Sequence, residues 1–137
     1  MYNWEFYCLA YQNKYANAGS MTPGRDNTTI DSMSLKRMDK IIASMKDHSY
    51  QSKPARRTYI KKKNGKLRPL SIPSSDDKLV QEIVRLILES IYEPTFSKCS
   101  HSFRPEKSCH TALSQIQDKF TEVRWFIEGD MERFTNK

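Results

Sequence analysis

The run KKNGKLRPLSIP, residues 62–73, decides how this chain is read. Eight basic residues stand between Lys53 and Arg68, at Lys53, Arg56, Arg57, Lys61, Lys62, Lys63, Lys66 and Arg68, and no acid interrupts them. The same run holds the pair Asn64-Gly65. That pair suits a two-residue turn of type I′, whose central positions both need positive φ. Residues 56–72 are therefore expected to form a β-hairpin. The simplest register opposes Lys63 to Lys66, Lys61 to Arg68 and Tyr59 to Leu70. Like charges opposed across a ladder are destabilising, so a hairpin that keeps them calls for an anion between them. Pro69 has no N–H to give a ladder, which makes its strand an edge or a bulge. A plainer account also fits: an edge hairpin whose solvated lysines deter aggregation.

The surrounding chain agrees with a polyanionic partner. It has 137 residues, enough for one domain with a modest core. Only 37% of them are hydrophobic, the mean hydropathy is −0.76 and the net charge is +7. That balance raises the odds of binding nucleic acid without proving it. No apolar run reaches the roughly 18 residues that a membrane span needs. The start, MYNWEFYCLA, lacks the basic leader of a signal peptide. Three cysteines, Cys8, Cys99 and Cys109, fit reduced thiols in an intracellular protein.

On either side of the hairpin the pattern is helical. Trp4, Tyr7, Tyr11 and Tyr15 recur about one turn apart, which predicts a helix over residues 3–17. NAGSMTPGRDN breaks it as a loop. Ser32 or Ser34 can cap a second helix with Leu35, Met38, Ile41, Ile42 and Met45 on its inner face. After the hairpin, Ser74 and Asp77 have capping-box spacing. Leu79, Val80, Ile83, Val84, Leu86, Ile87, Leu88 and Ile91 then wrap most of a long helix, expected to be central and buried. Ser108 can cap a last helix with Cys109, Ala112, Leu113 and Ile116 on one face. RWFIEGD, residues 124–130, is short and rich in β-formers, and predicts a strand.

Three places could carry chemistry. Asp130 follows Trp125, Phe126 and Ile127, and a buried strand-end acid needs a partner. A magnesium ion would supply one, with Glu128 as a second ligand, although a plain strand-end acid facing water also fits. Arg104, beside Phe103 and Pro105, could hold a phosphate or stack on a base, or could simply lie in water at a helix approach. Cys99, His101, Cys109 and His110 do not have the paired spacing of a zinc site. His48 stands alone in a polar linker.

GSMTPGRDNTTID, ARRTYIKKKNGKLRPLSIPSSDDKLVQEIVRLILESIYEPTFS, FRPEKSCHTAL and RWFIEGD, in this order, resemble the N-terminal half of a group II intron reverse transcriptase, or maturase. The SMTPG word is most similar to the mitochondrial-type lineage, which also has bacterial members. The resemblance implies an α+β fold: a helical fingers subdomain with a β-hairpin, plus the first strand of a right-hand polymerase palm. It implies an N-terminal helical extension over residues 1–50, fingers over 51–122 and the first palm strand over 123–137. It puts Lys62 and Arg68 on the triphosphate of an incoming dNTP, with Lys61 in reserve because the simple register sets Lys61 beside Arg68. Arg56, Arg57, Phe103 and Arg104 become nucleic-acid contacts. The extension would clamp the template and bind intron RNA. Asp130 matches the first metal-binding aspartate of the palm, where two Mg2+ ions activate the primer 3′-hydroxyl and stabilise pyrophosphate.

The match has departures. Ser102 stands where the family usually has Gly, and PEK is unusual. Thr135 and Asn136 occupy the places of a sugar-sensing aromatic and the acid after it, unless a one-residue deletion brings Phe134 there. The family's later Tyr-Ala-Asp-Asp word does not occur before Lys137. The reading is therefore the N-terminal part of an RNA-directed DNA polymerase that binds RNA template-primer and dNTP. A non-catalytic RNA-binding fragment is the alternative, since one aspartate cannot hold two ions. The location expected is the bacterial cytoplasm or an organelle, with no membrane contact and an open oligomeric state.

Overall fold

The computed structural model describes residues 2–129; Asp130 and the readings placed on Phe134, Thr135 and Asn136 lie outside them. The chain is α+β. Helix α1 (Trp4–Tyr15) and α2 (Leu35–Lys46) precede a hairpin of β1 (Arg56–Lys61) and β2 (Leu67–Ile72), which is followed by α3 (Ser75–Tyr92) and α4 (Cys109–Lys119). Two compact units divide it, Met1–Tyr92 and Glu93–Lys137.

The first unit holds the core. Asn3 starts α1 by accepting from the Glu5 N–H at 3.0 Å, and Ser34 starts α2 by accepting from the Arg37 N–H at 3.3 Å. Each bond satisfies one of the orphan amides of a helix start. Tyr7 and Ala10 of α1, Met38, Ile41 and Ile42 of α2, and Leu79 and Ile83 of α3 pack into one cluster. Each large apolar side chain so buried contributes about 1.5–3 kcal/mol. Leu35, expected on the inner face of α2, is exposed.

Helix α3 departs from the expectation of a buried centre. Leu79 and Ile83 are enclosed with Ser75, Asp77 and Glu82, whereas Val84, Leu88 and Ile91 form a stripe open to solvent. Its apolar girdle has one side covered, because α1 packs along that side only.

In the second unit, Ser108 and Thr111 close a capping box on α4: each side chain accepts from the other's N–H, at 3.3 and 2.9 Å. The expected apolar face of α4 is not buried: Cys109, Leu113 and Ile116 are all exposed. The expected strand at 124–130 is not formed over its described part either. Residues 123–129 take no regular structure, and Trp125 and Ile127 are 88% and 99% exposed. A strand needs a neighbour for its N–H and C=O groups, and no described segment supplies one.

Candidate nucleotide and nucleic-acid site

The hairpin forms, with a register one residue away from the simple one. Its pairs run from Arg56 opposite Ile72 to Ile60 opposite Arg68 and Lys61 opposite Leu67. The turn is the cause. The Gly65 N–H donates to the Lys62 carbonyl at 3.0 Å, and the Lys62 N–H to the Lys66 carbonyl at 2.8 Å. Gly65 alone sits at positive φ, +77°, and Asn64 does not. That is a three-residue loop with a left-handed glycine at its bulge, not a two-residue type I′ turn. The Asn64 side chain completes it by accepting from the Lys66 N–H at 3.2 Å.

A shift of one residue exchanges the two faces of a strand. Arg56, Thr58, Ile60 and Lys62 now share a face with Ile72, Leu70, Arg68 and Lys66, by alternation along the paired strands. Thr58, Leu70 and Ile72 are half-buried at the foot of this face. Lys62 and Arg68 extend it toward the turn. Arg57 and Lys61 fall on the opposite face, with Tyr59 and Leu67. Lys61 is therefore not beside Arg68, and Arg56 and Arg57 point to different sides of the ribbon.

Elsewhere in this unit several cations have partners. Lys14 and Arg85 meet Glu82 at 2.9 and 2.7 Å, and Arg37 meets Asp76 at 2.6 Å. Lys53 reaches Asp26 at 3.2 Å and Asp76 at 3.3 Å. Lys78 donates to the carbonyls of Ser20 and Thr22, at 3.1 and 2.6 Å. Burial pushes its ammonium pKa down, and the nearby charges of Lys14 and Arg56 push it further. By contrast, no cation from Arg56 to Arg68 has an ion-pair partner among the described residues.

The hairpin's foot is set by the SSDD turn that starts α3. Asp77, 2% exposed, accepts from the Ser74 hydroxyl at 2.6 Å, the Tyr50 hydroxyl at 2.8 Å and the Lys53 N–H at 3.1 Å. Burial alone would raise its pKa; these donors outweigh it and hold the carboxyl below the usual range. Burial and the bond to Asp77 push the Tyr50 phenol up. Asp76 binds Arg37 and Lys53, and the Ser75 hydroxyl lies 2.7 Å from that of Thr28. A Cβ on Gly24 would meet the Pro73 oxygen and Ser74 Cα at 2.8 Å, so the Pro23-Gly24 loop seats directly on the chain leaving β2. Sequence reasoning found the Ser74–Asp77 cap and missed this wider network, whose partners are 20 to 50 residues apart.

In the second unit Phe103 and Arg104 part company. Phe103 is fully exposed at φ +57°, a backbone region that aromatic residues seldom enter. The Arg104 guanidinium is 11% exposed and fully engaged. It forks onto Glu93 at 2.7 and 3.0 Å and donates to the carbonyls of Ser97 at 2.8 Å and Ser100 at 2.9 Å. The Phe96 ring lies 5.2 Å below it. Arg104 in turn holds the Glu93 carboxyl pKa below its usual value. Its geometry is that of a loop tie. His101 is bracketed by Thr111 and Gln115.

Among the described residues no three ligating side chains gather in a way that could hold a metal ion. Glu128 is exposed, and Asp130 lies outside those residues. The described residues thus do not fit a divalent ion.

Residues 60–135, more than half the chain, match the family model described as reverse transcriptase (RNA-dependent DNA polymerase). The chain belongs to the reverse transcriptase family, whose polymerases generally use a divalent metal. It is 54% identical over 129 residues to the group II intron-encoded protein LtrA of Lactococcus lactis subsp. cremoris, covering 93% of this chain and 22% of that protein. It is 47% identical over 130 residues to the 91 kDa protein in the cob intron of Schizosaccharomyces pombe, covering 95% of this chain and 16% of that one. Nuclear intron maturase 2, mitochondrial, of Arabidopsis thaliana is 36% identical over 107 residues, 78% of this chain and 11% of its own length. Within the family, the chain groups with the reverse transcriptases and maturases of group II introns. It spans about a fifth of the length of the first of these relatives. No helix among the described residues is long and apolar enough to cross a membrane.

Proposed function

We propose that the chain forms the nucleotide- and template-facing part of an RNA-directed DNA polymerase encoded by a group II intron. In this reading residues 1–50 are the N-terminal extension, 51–122 the fingers and 123–137 the start of the palm. Lys62 and Arg68 neutralise the triphosphate of the incoming dNTP. Arginine's planar fork meets phosphate oxygens in pairs, while lysine acts as a mobile point charge. Arg56, Arg57 and Phe103 contact RNA template-primer, and Arg104 serves by tying the loop that presents Phe103. Asp130 is the first metal carboxylate, and Mg2+ is the ion. Intron RNA is the further partner.

One observation carries the reading. The hairpin's cations have no acid to neutralise them among the described residues, and Lys62 and Arg68 lie on one face. A charge that the protein leaves unpaired stays available to a ligand phosphate.

Two titrations test it. Binding of a fluorescent dNTP is expected to weaken about tenfold or more, over 1.4 kcal/mol, in Lys62→Ala/Arg68→Ala. Affinity for labelled single-stranded RNA is expected to fall with salt, and Arg56→Ala/Arg57→Ala to flatten the log–log slope by about 1.4, or 0.7 per phosphate contact. Salt-insensitive RNA affinity, or dNTP affinity unmoved by the first double variant, would sink the proposal. For Asp130, primer extension on poly(rA)/oligo(dT) with Mg2+ by a polypeptide containing this sequence is expected to vanish in Asp130→Ala.

A further inference from the structure

The phosphate face is carried on an arm. Each strand of the hairpin has six residues, and only Thr58, Leu70 and Ile72 among them are even half-buried. At about 3.3 Å per residue the arm is about 20 Å long, so a tilt of about 10° at its foot moves the tip by about 3–4 Å. A charge-assisted hydrogen bond to phosphate spans about 2.8 Å, and a displacement of that size breaks it. The angle at the foot therefore decides where Lys62 and Arg68 arrive. Two contacts fix that angle. The first is a staple across both legs. Asp77 Oδ2 accepts from the Lys53 N–H at 3.1 Å, three residues before β1, and from the Ser74 hydroxyl at 2.6 Å, two residues after β2. The Asp77 N–H returns a bond to Ser74 Oγ at 3.2 Å, and the Tyr50 hydroxyl donates to the other carboxylate oxygen at 2.8 Å. Asp77 is 2% exposed, so water does not compete for these donors. The second contact is a seat. Gly24, in the loop between α1 and α2, lies so near the chain leaving β2 that a Cβ there would meet the Pro73 oxygen and Ser74 Cα at 2.8 Å. Both are backbone atoms, so one segment would have to move. Gly24 is not at positive φ; the close approach, not a special conformation, calls for glycine here.

We propose that Asp77 and Gly24 are positioning residues for the phosphate face: together they set the angle at which the hairpin carries Lys62 and Arg68 to the triphosphate. Asp77 joins both legs of the hairpin to the start of α3, and Gly24 lets the preceding loop close against the outgoing leg. A single buried carboxylate suits the task, because it accepts from both legs at once and its charge makes each bond about twice as strong as one to a neutral acceptor. This rests on the reading of Lys62 and Arg68 as triphosphate contacts, and it makes dNTP affinity depend on two residues that reach no part of the nucleotide.

The test uses the 137-residue chain, a fluorescent dNTP and a double-mutant cycle. Asp77→Ala removes the acceptor of both legs, and Gly24→Ala pushes on the outgoing one. Each is expected to weaken dNTP binding about threefold or more, the scale of coupling within one network. In the Lys62→Ala/Arg68→Ala background the same changes are expected to have no further effect, because the cations they aim are gone. Glu82→Gln weakens the fold on the same helix through partners on α1 and α3, away from either leg, and is expected to leave dNTP affinity unchanged. Losses that persist in full in the double-variant background, or that Glu82→Gln reproduces, would overturn positioning in favour of general destabilisation. If circular dichroism shows Asp77→Ala unfolded, Gly24→Ala decides the question in the same two backgrounds, since it adds one methyl and removes no hydrogen bond. Affinity lowered by Lys62→Ala/Arg68→Ala but unmoved by Asp77→Ala and Gly24→Ala would overturn this proposal alone. Affinity unmoved by Lys62→Ala/Arg68→Ala would overturn the functional reading as well.

Discussion

Glu82 lies 4% exposed on α3 and receives Lys14 at 2.9 Å and Arg85 at 2.7 Å. The Arg85 guanidinium, aided by Lys14, holds its carboxyl pKa down to about 2 against an ordinary 4.5, despite burial. A folded-state pKa below the unfolded one stabilises the fold above the unfolded value, and that stability goes as pH falls through the folded value. The window therefore runs from about pH 4.5 down to about 2. Urea unfolding is expected to show a loss of roughly 2–3 kcal/mol there that Glu82→Gln lacks, the variant being already weaker at pH 7. Equal pH slopes in the two proteins would refute the assignment. The sequence marks Glu82 as a polar interruption in an apolar helix and nothing more. Its burial follows from Lys14, 68 positions earlier, arriving on α1. Arg104 teaches the converse. Its place beside an aromatic suggested a ligand contact, and Glu93 with two carbonyls takes up its donors instead.

The hairpin is the element in which local sequence and geometry meet most closely. Asn64-Gly65 predicts a turn, and the turn is there. Which turn it is depends on the backbone angles of the loop residues, where Asn64 is not at positive φ, and a three-residue loop with a glycine bulge moves every pair by one. The consequence is that Lys62 rather than Lys61 shares a face with Arg68. Gly65 needs its positive φ and has open space around it. Gly65→Ala is accordingly expected to cost about 1 kcal/mol through backbone strain alone. Amide hydrogen exchange should read this at Lys62, whose N–H closes the loop on Lys66. Unaltered protection there would mean that the loop does not depend on the left-handed glycine. Helices α2 and α4 were legible for a related reason, because Ser34 and Ser108 cap them through bonds spanning three residues, while α1 was legible from the one-turn spacing of its aromatic residues.

Over the whole molecule, burial is concentrated in the first unit, and the second shows apolar side chains to water. Trp125 is 88% exposed and Trp4 41%. Acrylamide is therefore expected to quench Trp125 first, and Trp125→Phe to remove the readily quenched, red-shifted emission; equal quenching of both would contradict the exposed geometry. Glycine and capping residues, hydrophobic period and the run of cations were enough to specify an α+β chain, its helices and hairpin, and a basic face, because each depends on neighbours a few residues apart. The ordered words also carried the family. Tertiary structure alone decided which charges are spent and which remain free. Asp76 and Glu82 draw Arg37, Lys53 and Lys14 from distant segments, and among the described residues Lys62, Arg68, Lys36 and Lys40 keep no ion-pair partner. Coulomb attraction acts between groups that folding brings together, and sequence distance does not measure that separation.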